Sequence, residues 1–215
     1  MIISSNPTGK KINIEVDGQN LEQIEKMKYL GTLITEEIKT DLELDTRYNL
    51  AKAKFSEMSK ILTSKRLKLK TKLKILNCYI FSIFTYGSEA WTLSKVLENK
   101  IEATEMWCLR RMSNVLWKDK VSNEEVLRQL GTERKLLDKI KKRKCRYYGH
   151  IKRKNNVLTM AVEGRVQGKR PRGRPRNTWF KDINVWTEQT AYECTKKAAD
   201  RHLWSVIARQ RPKRR

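Results

Sequence analysis

The sequence predicts a mainly α-helical fold with a small antiparallel β piece at the N-terminus. Apolar and polar residues alternate in "KINIEVDG" near the start of the chain, as they do in a half-buried strand. From Leu44 to Ile83 the apolar residues are instead three or four positions apart, which places them on one face of a helix. These two spacings divide the 215 residues into a short β segment and a longer helical part.

The β segment is expected to contain two short runs. Ile12, Ile14 and Val16 share one face of the first run, and the Asp-Gly pair that follows is typical of a turn. The second run, "MKYLGTLIT", has Gly31 inside it, and a glycine within a strand often marks a bulge or the close approach of another backbone. The piece is too small to form a sheet alone, so we expect it to pair with the rest of the chain or with strands upstream.

Two amphipathic helices are predicted to follow. The apolar positions of the first are Leu44, Tyr48, Ala51, Phe55, Met58 and Leu62. Those of the second are Leu69, Leu73, Leu76, Ile80 and Ile83. The second helix is apolar on its flanks as well, so we expect it to be the central one, ending at "TYGSEAW".

Shorter helices are predicted in the remainder. Ser122 and Glu125 have the spacing of a capping box, and Gly131 is expected to close the helix that they open. Further helices are expected from after Ser94 to about Leu116, from Thr132 as its cap through "KKRKCRYYGH", over 178–187 and over 189–209.

Charge is distributed unevenly along the chain. The formal net charge is +24, yet residues 1–64 hold 9 basic and 10 acidic residues, so the excess lies entirely after residue 64. A charge of this size opposes compaction by self-repulsion, which favours a polyanionic partner. We therefore predict that the later part of the chain binds nucleic acid, either RNA or DNA or both.

The segment 139–154, "KIKKRKCRYYGHIKRK", is the first candidate for phosphate contact. Nine of its sixteen residues are Lys or Arg and none is acidic, whereas a solvated helix face usually mixes signs. A nuclear-import signal and plain solubility are the alternatives for such a run. The residues assigned to nucleic-acid binding here are Lys141, Lys142, Arg143, Lys144, Arg146, Tyr147, Tyr148, Lys152 and Arg153.

A second candidate is "GKRPRGRPRNTWF", which lies in a predicted linker over 164–177 and runs into a predicted helix. Prolines keep "PRGRP" extended and Gly173 permits a close approach, as in segments that enter an A/T-rich minor groove. The residues assigned to nucleic-acid binding here are Lys169, Arg170, Arg172, Arg174 and Arg176.

Other kinds of site find little support in the sequence. No apolar strand ends in paired aspartates, so a metal-dependent active site is not expected, and the spacing of Cys145, His150, Cys194 and His202 does not favour zinc. The four cysteines lie 30 or more residues apart, which is typical of reduced thiols. The longest apolar stretch, "LNCYIFSIF", is too short to span a membrane.

The order of several segments resembles the C-terminal part of reverse transcriptases from non-LTR (LINE-like, jockey- or RTE-type) retrotransposons. The segments are "MKYLGTLIT", "RYNLAKAKFSEM", "LKILNCYIFSIFTYGSEAWTL", "EMWCLRRMSNVLWKDKVSNEEVLRQLG", "RYYGHIKR" and "GKRPRGRPRNTWFKDI". The resemblance implies that residues 1–38 are the last strands of a polymerase palm, with Tyr29, Leu30 and Gly31 at a primer-grip-like turn. It implies a helical thumb over 39–93 and a basic nucleic-acid-binding region over 94–215.

The resemblance also bears on catalysis. Members of this family place their metal-binding aspartate pair just upstream of the segment corresponding to "MIISSN". We therefore expect a nucleic-acid-binding fragment that is not an enzyme by itself, has no catalytic residue, metal or cofactor, and would meet Mg²⁺ only in the full polymerase. The expected partners are nucleic acid and the palm of a longer parent chain, without a membrane, in the nucleus or in the cytoplasm with nuclear import.

Three alternatives remain open from the sequence. The chain could be a repurposed host DNA-binding protein that reads A/T-rich minor grooves through "PRGRP". It could be a non-functional relic of a transposable element that folds poorly. It could also be an active polymerase or nuclease that uses the acidic residues of 36–45.

Overall fold

A computed structural model of the protein describes residues 13–35, 40–164 and 178–210. The fold is mainly helical, with antiparallel strands at the N-terminus, so the predicted fold class is confirmed. None of the described helices is long and apolar enough to cross a lipid bilayer.

The N-terminal strands form two separate hairpins. Strands β1 (Glu15–Val16) and β2 (Gln19–Asn20) flank the predicted Asp-Gly turn. Strands β3 (Lys26–Tyr29) and β4 (Thr32–Thr35) pair antiparallel, with Tyr29 opposite Thr32. The interpretation of "MKYLGTLIT" as one run with an internal glycine was therefore wrong, because Leu30 and Gly31 are the two residues of a tight turn. Both have a positive φ, as a two-residue turn that follows the strand twist requires.

The first predicted helices are present, with interruptions. Helix α1 (Thr40–Glu57) is followed directly by the short α2 (Ser59–Leu62). The second predicted helix comprises α3 (Leu69–Ile75), one π-helical turn (Leu76–Ile80) and α4 (Phe81–Phe84). Its predicted inward residues Leu76 and Ile80 are completely buried, but its apolar flanks are buried only in part, since Phe84 is inside while Cys78 and Tyr79 are exposed.

Two helices of the middle segment begin where their caps predict. A 3₁₀ turn (Ser88–Ala90) precedes α5 (Lys95–Met112), and the Ser94 hydroxyl accepts a hydrogen bond from the Leu97 N–H. A second 3₁₀ turn (Trp117–Asp119) precedes α6 (Asn123–Gln129). Ser122 accepts from the Glu125 N–H as predicted, but the Glu125 carboxylate binds Arg128 and Gln129, so the capping box is half formed.

The longest helix, α7 (Leu136–Lys154), begins four residues later than Thr132, so the predicted cap was wrong. The carboxylate of Glu105, from α5, accepts hydrogen bonds from the Lys135 and Leu136 N–H groups at 2.9 Å and 3.1 Å. Burial raises the pKa of Glu105, and the two backbone hydrogen bonds oppose that rise. The Glu105 carboxylate, from another helix, thus caps the N-terminus of α7 in place of the predicted Thr132 hydroxyl.

The last helices are α8 (Val157–Glu163), α9 (Trp179–Thr187), α10 (Ala191–Ala199) and α11 (Arg201–Arg209). One helix was predicted over 189–209, and two are observed. Asp200 has an extended backbone conformation and its carboxylate accepts from the His202 and Leu203 N–H groups, so it ends α10 and caps α11.

One hydrophobic cluster runs through the helical part, from Leu44 in α1 to Ala208 in α11. Helix α7 packs against α5, α8, α9, α10 and α11. The segments predicted as thumb and as C-terminal region therefore both contribute side chains to one hydrophobic core.

The contact between α7 and α11 depends on Gly149. The Trp204 indole fills the space beside this glycine and donates a hydrogen bond from Nε1 to the Cys145 carbonyl at 2.7 Å. A Cβ at Gly149 would clash with Trp204 Cδ1 and lie 2.6 Å from Nε1. Only a residue without a side chain allows the two helices to approach this closely.

Gly149→Ala is therefore expected to destabilise the protein by about 1–3 kcal/mol through overpacking. On an exposed helix face the same change would stabilise by up to about 1 kcal/mol, so the sign of the effect is informative. Urea unfolding measures it, with His150→Ala at the exposed neighbouring position as the control, expected within about 0.5 kcal/mol of wild type. A Gly149→Ala variant as stable as the control would contradict this packing.

Candidate nucleic-acid interface

Helix α7 carries the whole of the first predicted basic run, and the structure divides that run between two faces. Nine residues of the helix are buried, including two lysines: Leu136, Leu137, Ile140, Lys141, Lys144, Cys145, Tyr148, Gly149 and Ile151. The remaining cations lie on the partly or fully exposed face. The two faces have different chemical roles.

Lys144 is completely buried and paired. Its Nζ donates to the Asp182 carboxylate at 2.6 Å and to the Trp91 carbonyl at 2.7 Å. Asp182, also completely buried, accepts a second hydrogen bond from the Leu93 N–H at 3.0 Å. The pair joins α7, α9 and the segment before α5, and buried charges of this kind are tolerated only when they are paired and hydrogen-bonded.

Lys141 forms a second buried pair with Glu98 of α5, with 3.0 Å between Nζ and Oε1. The Trp186 ring is close to both lysines, with its centroid 5.2 Å from the Lys141 Nζ and 5.3 Å from the Lys144 Nζ. Both distances permit a cation–π attraction. The indole therefore contacts both buried ammonium groups of α7.

Tyr148 is also inside. Its ring packs against Phe180 and Trp204, and its hydroxyl donates to the Glu163 carboxylate at 3.0 Å. Burial raises the pKa of the Tyr148 phenol. Tyr148 and the two lysines are therefore not available to a phosphate backbone in this fold, and the candidate interface does not include them.

The spacing of α7 contains a signal for this arrangement. Leu137, Lys141, Lys144, Tyr148 and Ile151 are four, three, four and three residues apart, so they share one helix face. Two lysines at positions of an apolar stripe indicate buried ion pairs. The sequence analysis missed them because it assigned the whole basic run to phosphate contact.

The outer face of α7 lines an open groove of about 630 Å³. Five of its seven lining residues are cationic and two are acidic: Glu133, Lys135, Asp138, Lys139, Lys142, Arg143 and Arg146. Partial burial and the nearby Arg143 guanidinium both lower the pKa of Lys139. The groove thus holds more positive charge than its own carboxylates neutralise.

Arg143 is fixed in place at the edge of this groove. Its Nη1 donates to the Thr85 carbonyl at 3.0 Å, and its Nη2 lies 2.9 Å from the Glu89 carboxylate. Beside it, Tyr147 packs edge-on against Trp179, whose Nε1 donates to the Glu89 carbonyl. Tyr147 and Arg146 are exposed, so an aromatic ring and an exposed guanidinium border the groove.

The C-terminal end of the basic run is used within the protein. Lys152 lies 3.0 Å from the Glu163 carboxylate, and Arg153 donates to the Ala198 carbonyl at 3.2 Å. Lys152 has little exposed surface, whereas Arg153 is exposed. The second predicted strip, with Lys169, Arg170, Arg172, Arg174 and Arg176, lies outside the described residues.

A second groove of about 390 Å³ lies between α3 and the ends of α5 and α6. Lys65 and the mostly buried Lys72 line it, together with Met112 and Ser113 of α5 and Leu130 after α6. The carbonyl ends of two helices carry partial negative charge, which an ammonium group complements. The mostly buried Lys72 therefore lies in a groove whose helix ends favour a positive charge.

The turn between β3 and β4 is the predicted primer-grip-like element, and its backbone is firmly held. The Arg47 guanidinium donates to the Gly31 carbonyl at 2.6 Å, and the Tyr86 hydroxyl donates to the Leu30 carbonyl at 2.8 Å. Glu43 bridges α1 and β4 by accepting from Arg47 at 2.6 Å and from the Leu33 N–H at 2.8 Å.

The side chains of this turn face solvent. Leu30 has a φ of 48° and a side chain that is 75% exposed, and Tyr29 is exposed as well. A leucine in the left-handed region is strained by about 1–2 kcal/mol, and such strain persists only where surrounding contacts enforce it. The structure therefore brings Tyr29, Leu30 and Gly31 together at a rigid, exposed tip.

Metal ligands do not cluster in the parts of the chain that the structure covers, where no group of three or more His, Cys, Asp or Glu residues could hold an ion. Cys145 and Cys194 are buried, and burial raises the pKa of the Cys145 thiol to about 12. Both thiols lie in the hydrophobic cluster of the helical part.

The sequence is similar to that of an uncharacterized transposon-derived protein of Caenorhabditis elegans. The two chains are 27% identical over 201 residues, which cover 89% of this chain and 69% of the relative. No protein-family model matches the chain, and no solved structure matches it. The similarity is consistent with an origin in a transposable element.

Removal of the Lys144 charge is expected to be far more damaging than removal of a neighbouring charge on the outer face. Lys144→Met leaves the buried Asp182 carboxylate without its cation, which costs about 3–5 kcal/mol. Lys142→Met changes a partly exposed side chain and is expected to stay within about 0.5 kcal/mol of wild type. Thermal or urea unfolding of both variants measures the difference.

The double variant Lys144→Met/Asp182→Leu provides the control. It removes both charges, so it is expected to recover part of the stability that Lys144→Met loses. Equal stability of Lys144→Met and Lys142→Met would rule out the buried pair.

Proposed function

We propose that this protein is a transposon-derived nucleic-acid-binding protein whose phosphate contacts are made by the outer face of α7. The excess of cations in the 630 Å³ groove is the observation that carries the proposal. A phosphate backbone that passes through the groove would neutralise Lys139, Lys142 and Arg146, whose charges are not matched by the two acidic residues of the lining.

The lowered pKa of Lys139 supports the same assignment. The ammonium is disfavoured where it is, because it is partly buried and close to the Arg143 guanidinium. A phosphate in the groove would reverse this effect, since an opposite charge nearby favours the charged form of lysine. Protein–DNA interfaces obtain affinity from this kind of neutralisation, which releases condensed counterions.

A more specific form of the proposal follows the resemblance to non-LTR retrotransposon reverse transcriptases. The chain would be the C-terminal part of such a polymerase, acting in the nucleus without its own catalytic aspartates. Its helical part would hold a template–primer duplex or target DNA. The similarity to a transposon-derived protein supports the element origin.

The β3–β4 turn would then contact the primer strand. Its backbone is fixed by Arg47 and Tyr86, and its tip is exposed, which are the properties of an element that positions a strand end. The strained Leu30 is consistent with a functional turn, since strain tends to concentrate at such sites.

The proposal predicts a specific loss of salt dependence. Binding of wild type to a short DNA duplex should weaken linearly in log K against log salt, with a slope of about −0.9 per contacted phosphate. Replacement of Lys139, Lys142 and Arg146 by Gln should reduce that slope by up to about 2.7 and weaken binding at low salt. Fluorescence anisotropy over a salt series measures both quantities.

A matched triple variant separates the groove from net charge. Lys196→Gln, Lys197→Gln and Arg201→Gln remove the same charge from α10 and α11, away from the groove lining. The proposal expects a clearly smaller change in slope for this variant. Equal effects of the two triple variants, or no binding by wild type, would overturn it.

A further inference from the structure

Trp117 presents its indole ring to solvent. The residue is 89% exposed, and Leu116 beside it is 53% exposed. Burial of a tryptophan side chain is strongly favourable because of its large apolar surface. The aromatic residues around α7, by contrast with Trp117, are packed against one another. Single exposed apolar residues are common, so the inference depends on how the surrounding loop is built.

One arginine binds the backbone of the loop between α5 and α6. Arg110, in the last turns of α5, donates from Nη1 to the Val121 carbonyl at 2.8 Å and from Nη2 to the Leu116 carbonyl at 3.3 Å. The Asp119 carboxylate accepts from the Leu116 N–H at 2.7 Å, which closes the 3₁₀ turn that carries Trp117.

Two residues of the loop also adopt the left-handed backbone conformation. Asn114 has a φ of 56° and Lys120 a φ of 51°, on either side of Trp117. A left-handed conformation is costly for a lysine, and here the hydrogen bonds of Arg110 and Asp119 hold the intervening segment in place. The hydrogen bonds of Arg110 and Asp119 therefore fix the loop in a conformation that leaves the indole exposed.

The charges next to Trp117 indicate the chemistry of its partner. Lys118 and Lys120 are exposed on either side of Asp119, whose carboxylate is already engaged by the backbone. An exposed aromatic ring with ammonium groups beside it suits an unpaired nucleotide, because the base stacks on the ring and the phosphates face the cations.

We infer that Trp117 stacks on an unpaired base of a bound nucleic acid, and that Lys118 and Lys120 contact the flanking phosphates. The inference rests on the proposed function, since α7 supplies the duplex contacts, and it adds a preference for nucleic acid with a single-stranded part. A base in the interior of a duplex is stacked on both faces by its neighbours, so the Trp117 ring cannot stack on it.

The test compares two DNA probes, a blunt duplex and the same duplex with a short single-stranded extension. Wild type is expected to bind the extended probe more tightly. Trp117→Ala should weaken binding of the extended probe by about 5- to 100-fold and leave the blunt duplex unchanged, since stacking on an aromatic side chain contributes about this much per base. Trp117→Phe should retain most of the affinity.

Tyr192→Ala is the matched control, because Tyr192 is 74% exposed on α10 and has no part in the loop. It should bind both probes as wild type does, and all three variants should melt with wild type.

Each other outcome overturns the inference. Equal affinity of wild type for the two probes does so while leaving the α7 interface intact. Equal loss by Trp117→Ala on both probes does so too, and so does no loss on either probe, because the ring would then take no part in binding. Failure of wild type to bind either probe overturns this inference and the proposed function together.

Discussion

The buried ion pair between Lys144 and Asp182 is the interaction on which the C-terminal half of the fold depends. It fixes α9 and the segment around Trp91 against α7, because the buried Lys144 ammonium donates to Asp182 and to the Trp91 carbonyl, and Asp182 also accepts from the Leu93 N–H. A second pair, Lys141 with Glu98, fixes α5 against the same side of α7, and the Trp186 ring is close to both ammonium groups. Since breaking one partner of such a pair leaves an uncompensated charge, the helices can pack only in an arrangement that satisfies both.

This constraint gives one helix two roles. The inner lysines of α7 stabilise the fold, whereas Lys139, Lys142 and Arg146 are three of the five cations that line the outer groove. Arg143, bound to Thr85 and Glu89, connects the groove to the segment that follows α4. The rigid placement of that surface follows from the buried pairs beneath it. Two further elements, the β3–β4 turn and the Trp117 loop, are likewise held by arginines that bind backbone carbonyls.

The sequence predicted the helical fold, because the three- and four-residue spacing of apolar side chains is a local signal. It also located α5 and α6 through Ser94 and Ser122, whose caps involve residues only three positions away. What it missed depends on distant partners. Glu105 caps α7 from another helix, and the carboxylates that neutralise Lys141 and Lys144 come from α5 and α9. The exposure of Trp117 was not predictable either, since it results from the hydrogen bonds of Arg110 rather than from any periodic pattern.

Lysine acetylation read by mass spectrometry tests the central claim most directly, because it reports each ammonium group of α7 separately. In the folded protein, Lys142 should react readily while Lys141 and Lys144 stay protected until the chain unfolds. Addition of a DNA duplex should then protect Lys139 and Lys142. Reaction of Lys144 at the rate of Lys142 in the folded protein would contradict the buried pairs, and unchanged labelling of Lys139 and Lys142 with bound duplex would contradict the role of the outer face.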